Sequence, residues 1–201
     1  MKKLLLFALS FISITAFAQT PNGYKVGNKA IDFSLKNIDG KNVSLADYTN
    51  AKGFIVIFTT NHCPYAVKYE DRINALNAKY AAAGYPVIAI NSDDSVDNPG
   101  DSYTNMQVRA TTKGFTFPYL LDASQAIAKA YGANKTPLVY LLQKTKDGLI
   151  VKYTGGIDDN TEDATAVKQK YVELAVDALL AGKDIAITST KAIGCGIKIK
   201  P

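Results

Sequence analysis

The stretch FTTNHCPYAVKYEDRI, Phe58 to Ile73, gathers the side chains best suited to chemistry. It holds the only histidine of the 201-residue chain, His62, then one of its two cysteines, Cys63, then Pro64. A thiol acts as nucleophile or redox centre in its thiolate form, so the local structure decides whether Cys63 is reactive. The run FIVIF, ending at Phe58, is apolar and β-branched, as expected of a strand buried on both faces. Beyond it Tyr65, Tyr69, Ile73, Leu76 and Tyr80 recur at steps of four and three, which predicts a helix ending near Gly84. Pro64 suits the first position of that helix, where its missing N–H costs nothing. Cys63 is then expected at the helix N-terminus, facing unpaired N–H groups and the positive end of the dipole. His62, when protonated, adds to that field. The competing reading is an inert cysteine buried as a small hydrophobe. Thr60 occupies the position three residues earlier where a C-x-x-C redox motif carries its other thiol.

The remaining elements set the frame. Residues 24–48 alternate apolar and polar around Asp39-Gly40, a hairpin signal. YPVIAIN reads as a second buried strand, followed by the acidic loop SDDSVDNPGDS. A helix is predicted over 102–113, an extended piece at FPYLLD, and a short helix at SQAIAKAYG stopped by Gly132. TPLVYLLQ and LIVKYTG form strands joined across Lys146-Asp147-Gly148. VKQKYVELAVDALLAG forms a last helix capped by Gly182. A βαβ unit, a β-hairpin and a closing helix imply an α/β fold with a mixed central sheet flanked by helices. This is the order of the thioredoxin-like fold, extended by an N-terminal β-hairpin.

Composition narrows the class. With 47% hydrophobic and 20% charged residues the chain is an ordinary globular one. Lys2 and Lys3 precede the short apolar run Leu4 to Phe17, and Ala16-Phe17-Ala18 resembles a signal-peptidase site. Residues 1–18 are therefore expected to be a cleaved signal peptide and 19–201 one exported domain, periplasmic or secreted, with no membrane association after cleavage. Loss of the two lysines lowers the charge from +5 to +3. That balance, with scattered lysines and no basic run, excludes nucleic acid as the partner. The loop acids Asp93, Asp94, Asp97 and Asp101 lack the spacing of a calcium loop and are expected to be a solvated turn.

The segments NHCPY and YEDRI, VIAINSDD, NPGDSY, FPYLLDASQAIAKAYGA, TP, GGIDD and the closing GCGIK together resemble a peroxiredoxin-like branch of the thioredoxin superfamily. This is the alkyl hydroperoxide reductase and thiol-specific antioxidant grouping, and the likeness runs from about Gly23 to Lys200. It implies a thiol peroxidase or thiol-disulfide oxidoreductase acting on a peroxide or disulfide, with Cys63 as nucleophile. The family's usual text resembles Cys-Asn-His-Cys-Pro-Tyr, and here Thr60 replaces its first cysteine. The resulting T-x-x-C resembles that of ordinary peroxiredoxins, in which the threonine hydroxyl orients the peroxide. Thr60 equally suits a plain helix-capping role. Departures are visible too: Val56 stands where a proline is usual, and the only arginines are Arg72 and Arg109. Pro137 resembles the cis-proline of thioredoxin folds, beside the active-site cysteine, and with His62 and Pro64 is expected to position substrate.

Cys195, between Gly194 and Gly196 in the tail, is the only thiol available to resolve a Cys63 sulfenic acid. The tail is expected to be flexible. The alternatives are a static Cys63–Cys195 staple and no contact at all. An exported thiol reductant is required for turnover, and no organic or metal cofactor. Rival functions are a redox-silent binding module and a copper carrier using His62, Cys63 and Cys195.

Overall fold

The computed structural model describes residues 23–200, so the expected signal peptide lies outside the described residues. The centre of the fold is β4 (Gly53–Phe58), the fourth strand of the chain, every residue of which is buried. It pairs in parallel with β5 (Val87–Asn91) and antiparallel with β8 (Leu138–Thr145). β5 continues in parallel to β6 (Tyr119–Leu121), and β8 turns back into β9 (Gly148–Gly155). The edges are β1 (Lys29–Ala30) on β9 and the hairpin of β2 (Ser34–Asn37) and β3 (Asn42–Ser44) beyond β6. The eight-stranded order is β1-β9-β8-β4-β5-β6-β2-β3, a mixed sheet as the element order implied. Asp39-Gly40 is the hairpin turn, with Gly40 at φ 86°, a conformation that costs glycine little.

Strand alternation sends β4 side chains to two separate cores. Ile55 and Ile57 face a cluster closed by Tyr69, Ile73, Leu76 and Tyr80 of α1 (Pro64–Tyr80), Met106 and Ala110 of α2 (Tyr103–Lys113), and Val172 and Val176 of α4 (Tyr171–Leu180). Phe54, Val56 and Phe58 face the other, with Tyr131 of α3 (Ala126–Tyr131), Phe33 and Leu45. Helices therefore cover both faces of the thioredoxin-like sheet. Among the described residues no helix is long and apolar enough to cross a membrane.

Two local expectations are corrected. The last helix starts at Tyr171 rather than Val167, because the preceding residues pair with Asp159. The Lys168 N–H donates to Asp159 Oδ1 at 2.9 Å, and the Gln169 carbonyl accepts from the Asp159 N–H at 3.1 Å. The tail is also not loose. β10 (Cys195–Gly196) forms a second, two-stranded antiparallel sheet with β7 (Lys135–Thr136), with Cys195 opposite Thr136.

Candidate functional site

Cys63 is the N-cap of α1, and Pro64 is its first residue. The sequence folds this way because β4 ends at Phe58 and proline cannot continue an inner strand. The Cys63 carbonyl accepts the first helical bond from the Val67 N–H at 3.0 Å. Its side chain makes no capping bond, and the residue sits at the positive end of a 17-residue helix whose first-turn N–H groups lack helical partners. Cys63 is fully buried.

Three neighbours define that burial. The Thr60 hydroxyl accepts from the Cys63 N–H at 3.3 Å and lies 3.4 Å from the Thr136 hydroxyl. The Thr136 carbonyl oxygen stands 3.3 Å from Cys63 Sγ. Thr136–Pro137 is a cis peptide bond, in agreement with the likeness to thioredoxin folds. Beside it a groove of about 170 Å³ is lined by Tyr69, Pro137, Ile157, Tyr171 and Ile193.

Cys195 lies across the sulfur. It forms a disulfide with Cys63, with Cα atoms 5.9 Å apart and a sequence separation of 132. Cys195 keeps partial exposure where Cys63 has none. The tail is fixed beyond the strand pairing as well. The Ile197 N–H donates to the Asn134 carbonyl at 3.0 Å, and the Ile197 side chain joins the core. Gln125, buried and held at φ 58°, uses its side-chain amide as a strand partner. Its Nε2 donates to the Lys198 carbonyl at 3.0 Å and its Oε1 accepts from the Lys200 N–H at 2.8 Å. Lys198 and Lys200 then pair with Asp97 and Asp94, each at 2.7 Å.

His62 turns away from the disulfide, toward the end of β5. Its Nδ1 hydrogen-bonds Asp101 Oδ2 and lies 3.6 Å from Asp93 Oδ2. The acidic loop is thus only partly the solvated turn expected of it: Asp93 and Asp101 are buried, drawn inward by polar anchors. Asp101 Oδ1 accepts from the Asn61 N–H at 2.6 Å and from Asn91 Nδ2 at 2.8 Å. The Tyr119 hydroxyl links the two asparagines, accepting from Asn91 and donating to Asn61 Oδ1. Asp93 Oδ2 accepts no hydrogen bond. The Asp93 carboxyl is pushed up to about 6, chiefly by burial, with His62 pulling it down and Asp101 and Asp94 adding to the rise.

Neither arginine is turned to the sulfur. Arg72 donates to Asp158 Oδ2 at 2.7 Å and stacks on Tyr69, and Arg109 donates to Glu70 at 2.6 Å. Of the predicted residues, the structure brings Thr60, Cys63, Pro64, Pro137 and Cys195 together and leaves His62 beside them, facing the buried acids. Asn61, Asn91 and Gln125 escaped the sequence reading. For the asparagines the signal was their place at the ends of the two central strands; Gln125, inside a helical pattern, gave none.

Comparison with known proteins agrees with this picture. The AhpC/TSA family model matches residues 26–162. The thiol-disulfide oxidoreductase ResA of Geobacillus thermodenitrificans is 28% identical over 141 residues, covering 70% of this chain and 76% of that one. A Mycobacterium tuberculosis protein provisionally named a peroxiredoxin is 29% identical, over 72% of this chain and 83% of its own. An uncharacterized conserved protein of Geobacillus kaustophilus superposes with a TM-score of 0.82 at 35% identity, covering 90% and 95% of the two chains.

Proposed function

This chain belongs to the AhpC/TSA family, and from that premise we propose that it is an exported thiol-disulfide oxidoreductase whose redox couple is Cys63 and Cys195. The observation that carries the reading is the partner of Cys63. With Thr60 in place of a C-x-x-C cysteine, the second sulfur arrives from the tail, laid antiparallel on the strand that ends in the cis-proline.

The burial difference sets the direction of attack. An incoming thiolate meets Cys195, the less buried of the two cysteines, forms a mixed disulfide with its sulfur, and breaks the Cys63–Cys195 bond. Cys63 leaves as a thiolate, and the N-terminus of α1 stabilises that leaving group. A second substrate thiolate then attacks the substrate sulfur of the mixed disulfide, releasing substrate disulfide and Cys195 thiolate, which takes a proton from water. Run in reverse, the dithiol reduces a substrate disulfide. Pro137 and the groove beside it hold the substrate, while Thr60 orders the Cys63 backbone.

Peroxide is the second oxidant the site suits, on the strength of the Thr60 hydroxyl next to Cys63. There the Cys63 thiolate takes the distal oxygen of ROOH, giving sulfenic acid and, after protonation, ROH. The Cys195 thiol then displaces water to close the disulfide. Burial of Cys63 and the commitment of both arginines elsewhere favour disulfide exchange over this route.

The test is to reduce the folded protein and offer one equivalent of oxidised glutathione or of hydrogen peroxide, reading disulfide formation by intact mass. Faster closure with glutathione, and a trapped glutathione adduct on Cys195 in Cys63→Ser, are expected. A bond that resists reductant until the protein unfolds would make it a structural staple and overturn the proposal.

A further inference from the structure

We propose that His62, Asp93 and Asp101 form a binding site for one divalent first-row transition-metal cation, separate from the disulfide. The three side chains come from the β4–α1 loop, the loop after β5 and the turn before α2. They bring His62 Nδ1 and one carboxylate oxygen from each aspartate within 4.8 Å of one another. Ions held at about 2.0–2.2 Å by nitrogen and oxygen ligands need donors roughly 3–3.5 Å apart. His62 Nδ1 and Asp93 Oδ2 already stand at 3.6 Å, and the Asp101 oxygen lies closer still to the same nitrogen.

What marks the cluster as more than an ion pair is the orphaned oxygen. The Asp93 side chain is 2% exposed, and its Oδ2 accepts no hydrogen bond while pointing at the histidine. A buried carboxylate without a donor costs free energy, and a cation between the three groups supplies what it lacks. The surrounding shell has the form that metal ligands need. Asp101 gives its Oδ1 to Asn61 and Asn91, which fixes the carboxylate and leaves Oδ2 for the ion. The Asn91 Oδ1 accepts from the Asp93 N–H at 3.0 Å and so holds the second ligand's backbone too.

Access and ligand chemistry narrow the ion. His62 is one-third exposed and lines an open groove with Gly100, Asn105 and Arg109, so water completes the coordination sphere. One imidazole with two carboxylates suits Zn²⁺ or Mn²⁺. The donor count is too small for Ca²⁺, which takes six to eight oxygens, and no thiolate is offered to copper(I) while both cysteines are bonded. On entry the ion replaces the proton shared by His62 and Asp101, which passes to solvent.

The experiment uses the mature, disulfide-bonded protein after treatment with a chelator, titrated calorimetrically with zinc chloride at pH 7.5, with manganese and calcium chlorides in parallel. The expected result is one zinc per chain with micromolar or tighter affinity and no calcium uptake. Asp93→Asn and His62→Gln are each expected to weaken zinc at least 100-fold. These two variants leave untouched the hydrogen bonds of Asp101 to the asparagines, and circular dichroism checks their fold. Cobalt substitution gives a second readout, a visible ligand-field band lost in both variants. No uptake at 100-fold excess zinc, or equal affinity in the folded variants, overturns the proposal. Because the disulfide stays intact throughout, neither result bears on the redox reading.

Discussion

Gly194→Ala is the substitution that most directly tests how the tail presents Cys195. Gly194 passes so close to the cis-proline strand that a methyl group there would lie 2.0 Å from the Thr136 carbonyl oxygen and 2.7 Å from its carbon. Ordinary contacts begin at about 3.5 Å, so the tail must lift by more than 1 Å. The obstacle is backbone on both sides, which has no rotamer to change. Once reduction cuts its tie to Cys63, the tail is expected to leave β7 in wild type and variant alike. In the oxidised protein it is held, with the Cys63 and Cys195 Cα atoms 5.9 Å apart, and the clash is borne by the disulfide state alone. Losing the Cys195–Thr136 pairing and the Ile197 bond to Asn134, at about 1 kcal/mol each, destabilises that state by about 2 kcal/mol.

Since about 30 mV corresponds to 1.4 kcal/mol for a two-electron couple, the reduction potential should rise by about 40 mV. The equilibrium constant against glutathione shifts about 30-fold. The assay is equilibration in graded glutathione buffers, acid quench, thiol alkylation and mass measurement. Gly196→Ala is the internal control. The methyl there would meet the nearest atom, the Asn134 carbonyl oxygen, at 3.8 Å, an ordinary contact, and its potential should match the wild type. Equal potentials for all three proteins would refute the claim that close backbone approach at Gly194 sets the register of Cys195.

Other outcomes follow from the same structure. Gln125→Ala keeps the left-handed backbone but removes the amide clamp on Lys198 and Lys200, so amide exchange at Lys200 should quicken at least tenfold while exchange in β4 is unchanged. Asp122 is buried, and its Oδ2 accepts from the Ile127 and Ala128 N–H groups at the start of α3 and from the Ser92 hydroxyl. Asp122→Ala should therefore cost about 2–3 kcal/mol, read as a lower urea midpoint at unchanged slope. Asp93 is held protonated more tightly in the folded chain, up to about 6 against 3.8 unfolded, so its contribution to stability is full below about pH 4 and lost as pH rises through 6. Asp93→Asn, which mimics the neutral form, should match the wild type at pH 4. In chelator at pH 7.5 it should exceed it by up to about 3 kcal/mol in urea melts.

Sequence patterning revealed the elements whose burial is periodic and local. FIVIF, the α1 stripe and the Asp-Gly hairpin each satisfy one period, and the strand–helix junction then puts Cys63 at a helix N-terminus without further information. The N-terminus of α4 was not legible because amphipathic spacing continues through Val167 to Lys170, while side-chain and backbone bonds to Asp159 hold that segment extended. The acidic loop misled for a related reason. Charge density in a loop reads as solvation, yet the Asp101 carboxylate is drawn inward by Asn61 and Asn91, which lie 40 and 10 residues away, and Asn91 also holds the backbone N–H of buried Asp93. Composition carries no trace of such distant partners.

The tail shows most clearly how the chemistry depends on contacts that sequence spacing hides. A C-x-x-C pair needs only one helical turn to hold its sulfurs together. Here Thr60 gives up that role and its hydroxyl becomes a bond acceptor for Cys63, so the second sulfur has to be delivered across 132 residues. Two glycines around Cys195 suggested mobility, but at Gly194 the missing side chain permits contact with Thr136, and the tail becomes a strand. A disulfide closing so long a loop is worth about 5 kcal/mol on the chain-entropy estimate, ample for a staple. What argues against a mere staple is where that bond is put. A purely structural crosslink gains nothing from a helix N-terminus that stabilises its broken form, from a cis-proline strand beside it, or from one cysteine left half-buried while the other is enclosed. Those three features lower the barrier to exchange, and their coincidence at a single bond is the physical case for turnover.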